Sequence, residues 1–255
     1  MASSPRPDPR DFRKRVTARE PVLGTFMKFT VPQPTEILGQ IGYDFVMLDE
    51  EHSPWTREQL GVAYLGAKAY GTAAIVRVSR PDAASILSVL DDGAIGIMVP
   101  HVDTAQKARD VASWSRYKGG TRGSATNIAE TSLTIDGVTT VIAMIEDAAA
   151  IDNIEEITAV EGIDAFFLGR GDLGLSLSNV KGPKPTLDEA VKIAAEAVLR
   201  NGKALAAVCP SLNSDDAKAM KDLGVTVMLT GNDQAFMRMS AAAQLGHFKT
   251  LMKGE

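Results

Sequence analysis

Only one cysteine, Cys209, stands in this chain of 255 residues. A lone thiol excludes an internal disulfide and cannot by itself form a thiolate metal cage, so a reducing, cytoplasmic setting fits. Aromatic side chains are scarce at 5%, which leaves a core built mainly of Val, Ile, Leu and Ala. Positive charge is short as well: 27 Lys and Arg face 32 Asp and Glu, for a net charge of −5. That balance argues against nucleic acid as a partner, because phosphate binding needs a basic face. No apolar run approaches a bilayer span, and Met1-Ala2-Ser3-Ser4-Pro5-Arg6-Pro7 lacks the apolar segment of a secretory signal. A soluble protein that stays off membranes is expected. Residues 1–20 read as a tail followed by a short helix around Asp11–Arg19.

What the chain does have is a repeated passage from apolar to charged. Phe45-Val46-Met47-Leu48 ends abruptly in Asp49-Glu50-Glu51-His52. Gly93 to Pro100 leads to His101 and Asp103, Gly162 to Leu168 leads to Gly169-Arg170-Gly171-Asp172, and Gly224 to Leu229 leads to Asn232-Asp233. Each opens with a glycine able to close a helix, runs apolar for a buried strand, then turns polar. Charged groups collected at strand ends are costly unless they have partners or work there. In parallel α/β folds the carboxyl ends of the strands are where chemistry is done.

Eight strands are predicted: Val22–Phe29, Asp44–Asp49, Ala73–Val78, Ile95–Val99, Thr140–Glu146, Asp164–Leu168, Ala204–Val208 and Val225–Leu229. The helices predicted between them are Pro34–Gln40, Arg57–Ala69, Pro81–Leu90, Thr104–Tyr117, Ala148–Val160, Leu187–Arg200 and Asn213–Leu223, with a last one at Gln234–Leu245. Thr56, Thr104 and Thr186 stand as N-caps. Strict alternation repeated eight times at this length specifies a single (β/α)8 barrel, a TIM barrel, over residues 21–255. Lys118–Gly137 and Ser176–Pro185 read as long loops.

The expected barrel mouth collects Asp49, Glu51, His52, Arg77, His101, Glu146, Asp172 and Asp233. Glu146 and Asp172 end neighbouring strands and suit a divalent cation such as Mg²⁺ or Mn²⁺ that keeps water and substrate ligands. The residues alone leave open a structural salt bridge from either acid to Arg77 or Arg170. His52, three residues after Asp49, could exchange a proton with that carboxylate fixing its tautomer, or could cap the next helix. Arg77 could hold a carboxylate or oxyanion, or could pair with Glu51. Gly169-Arg170-Gly171 lacks the spacing of a phosphate fingerprint. Cys209 has no evident activating base and reads as structural.

Taken in order, these pieces resemble the metal-dependent pyruvate aldolases of the HpcH/HpaI family. They are Gly42-Tyr43-Asp44-Phe45…Leu48-Asp49-Glu50-Glu51-His52, Val76-Arg77, Gly93-Ala94…Val99-Pro100, Arg116-Tyr117…Arg122-Gly123, Ile145-Glu146 and Val160-Glu161-Gly162…Leu168-Gly169-Arg170-Gly171-Asp172-Leu173. The resemblance implies a divalent metal (Mg²⁺, Mn²⁺ or Co²⁺) on Glu146 and Asp172, and pyruvate chelating it. It also implies Arg77 steadying the keto oxygen as it becomes an enolate, and His52, oriented by Asp49, managing protons at the aldol hydroxyl. Arg77, Gly171, Asp172 and Phe26 form the expected substrate contacts. No strand end offers an obvious Schiff-base lysine, although Lys28 lies close.

The implied reaction is reversible cleavage of a 4-hydroxy-2-oxo acid to pyruvate and an aldehyde, in a homo-hexamer whose final helix packs on a neighbour. Oxaloacetate decarboxylation, acyl-CoA lyase chemistry and a non-catalytic keto-acid sensor are the alternatives. Four positions depart from the family pattern: Met144 replaces a common Gln, Arg170 a Pro, Glu50 a Gly, and His101 an apolar residue.

Overall fold

The computed structural model describes residues 7–124 and 132–253. Eight strands, β1 (Val22–Met27), β2 (Phe45–Asp49), β3 (Ala73–Arg77), β4 (Gly96–Val99), β5 (Thr140–Ile145), β6 (Ala165–Leu168), β7 (Ala204–Val208) and β8 (Val225–Asn232), pair in parallel and in chain order. β8 returns to β1 and closes the barrel. The (β/α)8 architecture expected from the alternation is therefore the one adopted.

The helices are α1 (Phe12–Thr17), α2 (Gln33–Ile41), α3 (Arg57–Ala69), α4 (Ala83–Asp92), α5 (Ala105–Trp114), α6 (Ser132–Val138), α7 (Ala148–Asp152), α8 (Ile154–Thr158), α9 (Arg170–Asn179), α10 (Leu187–Arg200), α11 (Asp215–Asp222) and α12 (Asp233–Lys253). Thr56 and Thr186 form complete capping boxes with Gln59 and Glu189, and Thr104 accepts the Lys107 N–H. These side chains satisfy helix-terminal donors that would otherwise lack partners.

Four helical assignments change. α6 lies in the expected loop Lys118–Gly137, part of which falls outside the described residues. α9 takes up the expected Gly-rich turn and the start of the next loop. The single helix expected over Ala148–Val160 divides into α7 and α8 at Asn153, whose side-chain amide donates to the Asp103 and Ala149 carbonyls. α12 continues through Gly246 to Lys253.

Alternation along the strands separates two apolar layers. On β5, Ile142 and Met144 point into the barrel, while Val141, Ala143 and Ile145 face the helices. The interior is filled by side chains such as Phe45, Met47, Ile75, Met98, Phe167 and Leu229. The amino-terminal helix is part of this core: Phe12 and Val16 of α1 are buried, with the Phe12 ring 5.1 Å from Phe45. Arg13 of the same helix and Arg116 both pair with Asp164 at the start of β6. The amino-terminal ends of the strands are thus closed, and the other end carries the mouth.

Candidate active site

β2 and β3 place Asp49 and Arg77 directly opposite each other in register. Asp49 is fully buried. Arg77 Nε donates to Asp49 Oδ1 at 2.8 Å, and Nη2 lies 2.8 Å from the same oxygen. Oδ2 accepts from Lys28 Nζ at 2.9 Å. Burial alone would raise the Asp49 pKa; the hydrogen bonds and charges of Arg77 and then Lys28 outweigh it and hold the carboxyl below its ordinary range. The Arg77 guanidinium lies over the Phe26 ring at 4.7 Å, and its Nη1 is 3.2 Å from Glu51 Oε2. Phe26 meets Phe167 edge-on, which fixes the ring beneath the guanidinium.

His52 is placed differently from expectation. Asp49 accepts only the backbone N–H of His52, at 3.3 Å. The exposed imidazole has Nε2 3.7 Å from Glu51 Oε2. Asp49 is already engaged by two cations, so Glu51 is the carboxylate beside the ring. The alternative of a helix-capping histidine is also not realised, since Thr56 caps α3.

Glu146 directly follows β5 and is 2% exposed. Its Oε1 accepts the backbone N–H of His101 at 2.8 Å. Burial pushes its pKa up to about 7; the His101 N–H and the His101 charge oppose this, and the charges of Glu51 and Asp172 add to it. Among the described residues neither acid of the expected metal pair is bridged to an arginine: Arg77 takes Asp49 and Glu51, and Arg170 takes Asp216.

Asp172 lies in the first turn of α9, exposed at the mouth, with Gly169 as the N-cap residue. Gly169 is required by close approach. A Cβ there would lie 2.6 Å from Glu146 Cβ and 2.9 Å from its Oε2. At Gly171 a Cβ would meet nothing within 4 Å, so no neighbour in the barrel demands a glycine. Arg170 joins the start of α9 to the β7 exit and to α11, donating from Nη2 to the Val208 carbonyl and to Asp216, both at 2.9 Å.

His101 has a left-handed backbone, φ 55°, an uncommon conformation for a residue other than glycine. That turn aims its N–H at Glu146, and its Nδ1 lies 3.0 Å from Asp147 Oδ2. Burial opposes its charged form, but the Asp147 hydrogen bond and the nearby acids raise its pKa above the ordinary value. Asp233 is a backbone clamp: its carboxylate accepts the N–H groups of Lys28 and Phe29. Cys209 is buried, and burial raises its thiol pKa, in keeping with a structural role. Met144 sits inside the barrel among apolar side chains.

The Arg77–Glu51 pair is the alternative that the sequence left open for Arg77; what the sequence did not reveal is that Glu51 also meets the His52 ring and that Lys28 shares Asp49 with Arg77. The two-residue spacing from Phe26 to Lys28 was the available signal, because it puts both on one side of the β1 line.

Known proteins resemble this chain over nearly its whole length. The HpcH/HpaI aldolase/citrate lyase family model matches residues 23–237. A hydroxypyruvate/pyruvate aldolase of Delftia acidovorans is 30% identical, across 93% of this chain and 92% of that one. A 5-keto-4-deoxy-D-glucarate aldolase of Klebsiella pneumoniae is 27% identical, across 94% and 97%. Among solved structures, the citrate synthase SbnG superposes with a TM-score of 0.84 at 29% identity, covering 94% of this chain and 98% of that one. With the family match running from β1 into α12 and these relatives aligned over nearly their whole length, the chain belongs to the HpcH/HpaI aldolase/citrate lyase family.

Proposed function

We propose that this enzyme is a metal-dependent aldolase that reversibly cleaves a 4-hydroxy-2-oxo acid to pyruvate and an aldehyde. Family membership makes it a lyase. The observation that supports this particular reaction is the asymmetry of the mouth. A buried carboxylate, Glu146, is electrostatically coupled to two further acids, while a buried guanidinium, Arg77, is clamped by another carboxylate.

Glu146 and Asp172 suit a resident Mg²⁺, Mn²⁺ or Co²⁺. They supply hard oxygen donors, and the raised Glu146 pKa marks a carboxylate that an added positive charge stabilises. Among the described residues no group of three or more His, Cys, Asp or Glu side chains is assembled as a metal cage. A pair of carboxylates is the protein share expected for a cation that retains water and substrate ligands. When bound, such a cation supplies Lewis-acid polarisation of a keto oxygen.

The chain's own groups account for the rest. Arg77 directs the N–H groups not used by Asp49 and Glu51 at charge developing on the keto oxygen. The free amides at the start of α9, around Gly171 and Asp172, receive the substrate carboxylate. Phe26 forms an apolar wall beside the reacting carbons. His52, next to Glu51, moves the proton of the aldol hydroxyl.

The test is pyruvate release from a panel of 4-hydroxy-2-oxo acids, with and without EDTA, together with exchange of pyruvate methyl protons into deuterated water. Release and exchange that both need metal support the reading. A protein that binds pyruvate and metal yet exchanges nothing is a sensor and overturns it. The likeness to a citrate synthase favours a second reading, the same enolate chemistry applied to an oxaloacetate-type acid. Decarboxylation of oxaloacetate without cleavage of any hydroxy-oxo acid selects that alternative.

A homo-hexamer in the cytoplasm belongs to the same proposal. Met237, Met239, Leu245, Phe248, Leu251 and Met252 are exposed along α12, an apolar surface of the kind that association buries. No described helix is long and apolar enough to cross a membrane. Light scattering that gives a monomer at micromolar concentration rejects the hexamer.

A further inference from the structure

We propose that Lys28 is a positioning residue, one that draws Asp49 Oδ2 to itself so that Arg77 meets this carboxylate through Oδ1 alone and, with Glu51 on its Nη1, stays aimed at the reacting keto oxygen. The inference rests on the role given above to Arg77 and adds a residue to it. Asp49 is fully buried, and its two oxygens are divided between the two cations. Arg77 brings both Nε and Nη2 to Oδ1, each at 2.8 Å, whereas Lys28 Nζ holds Oδ2 at 2.9 Å. An arginine and a carboxylate left to themselves favour the two-pronged arrangement, with one N–H on each oxygen. Here Lys28 draws Oδ2 to its own side, and both guanidinium donors converge on Oδ1.

Removing the ammonium leaves a buried carboxylate oxygen without its partner, which is unfavourable. The nearest remedy is for Asp49 to turn and give Oδ2 to Nη2, dragging the guanidinium across the Phe26 face on which it lies. The position of Lys28 is itself fixed. Its backbone N–H donates to Asp233 Oδ1 at 2.9 Å, and the next N–H, of Phe29, donates to Oδ2 at 3.0 Å. The lysine therefore arrives from a β1 exit tied to the start of α12, and its side chain is one-quarter exposed at the mouth.

The test uses the full-length metal-loaded protein and the variants Lys28→Met, Lys28→Gln, Lys28→Arg, Asp49→Asn and the double variant K28M/D49N. Displacement of a catalytic group by about an ångström lowers turnover by roughly 10–100-fold, so K28M is expected to slow both proton exchange and cleavage by that factor. The KM for pyruvate should stay within about threefold, since its carboxylate is held elsewhere. K28R, which restores the cation, should recover most of the lost rate, and K28Q serves where K28M folds poorly. Because Lys28 acts through Asp49, K28M/D49N should be no slower than D49N alone.

A crystal structure of metal-free K28M gives a readout independent of turnover: Asp49 Oδ2 is expected on Arg77 Nη2. Arg77 unmoved in that structure, losses that multiply in the double variant, or full exchange by K28M overturns the inference. Wild-type protein that exchanges no pyruvate protons overturns the aldolase reading instead, so the two failures are distinguishable.

Discussion

The two halves of the barrel mouth treat a buried carboxylate in opposite ways. At the β2–β3 side Asp49 is flanked by Arg77 and Lys28, and its pKa is held down. At the β5–β6 side Glu146 is just as enclosed, but its charged neighbours include the acids Glu51 and Asp172, and its pKa is pushed up to about 7. A protein can neutralise a buried acid with its own cations or leave it dependent on one from outside. The first half is pre-organised, with every charge answered. The second leaves Glu146 without a lysine or arginine partner among the described residues, which is the need that the proposed divalent cation would meet.

The largest effect should come from breaking the acidic half. Glu146→Ala or Asp172→Ala is expected to lose metal, measured by isothermal titration with Mn²⁺. It should also lower turnover by at least about 10⁴-fold, as several kcal/mol of Lewis-acid stabilisation would require. Full activity after exhaustive chelation, with elemental analysis showing no metal, contradicts the assignment. Breaking the cationic half should leave metal binding nearly unchanged. Arg77→Ala should reduce turnover by roughly 10²–10³-fold, the loss typical of a removed oxyanion donor, with pyruvate affinity much less affected. His52→Ala should cost roughly 10²–10⁴-fold in cleavage, again with metal affinity retained. A large fall in Mn²⁺ affinity in either variant would merge the halves into one unit.

Gly169→Ala sharpens the comparison without touching a charge. Its new Cβ collides with Glu146 Cβ, so the acid must move, and metal affinity should fall roughly 10–100-fold, the usual effect of disturbing a ligand's support. Unchanged affinity would show that Glu146 can shift at no cost.

The smallest expected effect concerns pH and stability. Glu146 titrates near 7 in the folded protein against an ordinary 4.5, so between those values the folded state holds more protons than the unfolded state. Stability of the metal-free protein should therefore fall as pH rises through that window. His101, whose folded pKa is also raised, acts with the same sign near the top of it. Saturating Mg²⁺ should flatten this dependence in thermal melts recorded from pH 4.5 to 7.5. A metal-free protein that instead grows more stable across the window would contradict it.

Much of this architecture was legible in the residues. The strands are short apolar runs, most of them ending in or followed within two residues by a charged side chain, and that pattern is enough to bury them as a parallel sheet. Gly93 closes α4 with a φ of 121°, as a glycine before an apolar run suggests. Helix starts marked by Thr56, Thr104 and Thr186 are local features, because each cap bonds a backbone group three residues on. α9 was hidden for the converse reason. Its opening Gly169-Arg170-Gly171 has poor helix propensity, and its position is supported by Arg170 reaching Val208 and Asp216 far along the chain.

By itself the sequence determined the alternation, the eight-stranded barrel and the set of ionisable side chains delivered to one end of it. Those follow from periodicity and capping, which operate over a few residues. Only the tertiary structure decided which acid meets which base. Asp49 was expected beside the His52 ring three residues away, yet it is held by Arg77 and Lys28, 28 and 21 residues distant. Such pairing depends on strand register and on directions across the barrel mouth. A buried carboxylate takes the nearest strong donors in space, and sequence spacing does not reveal them.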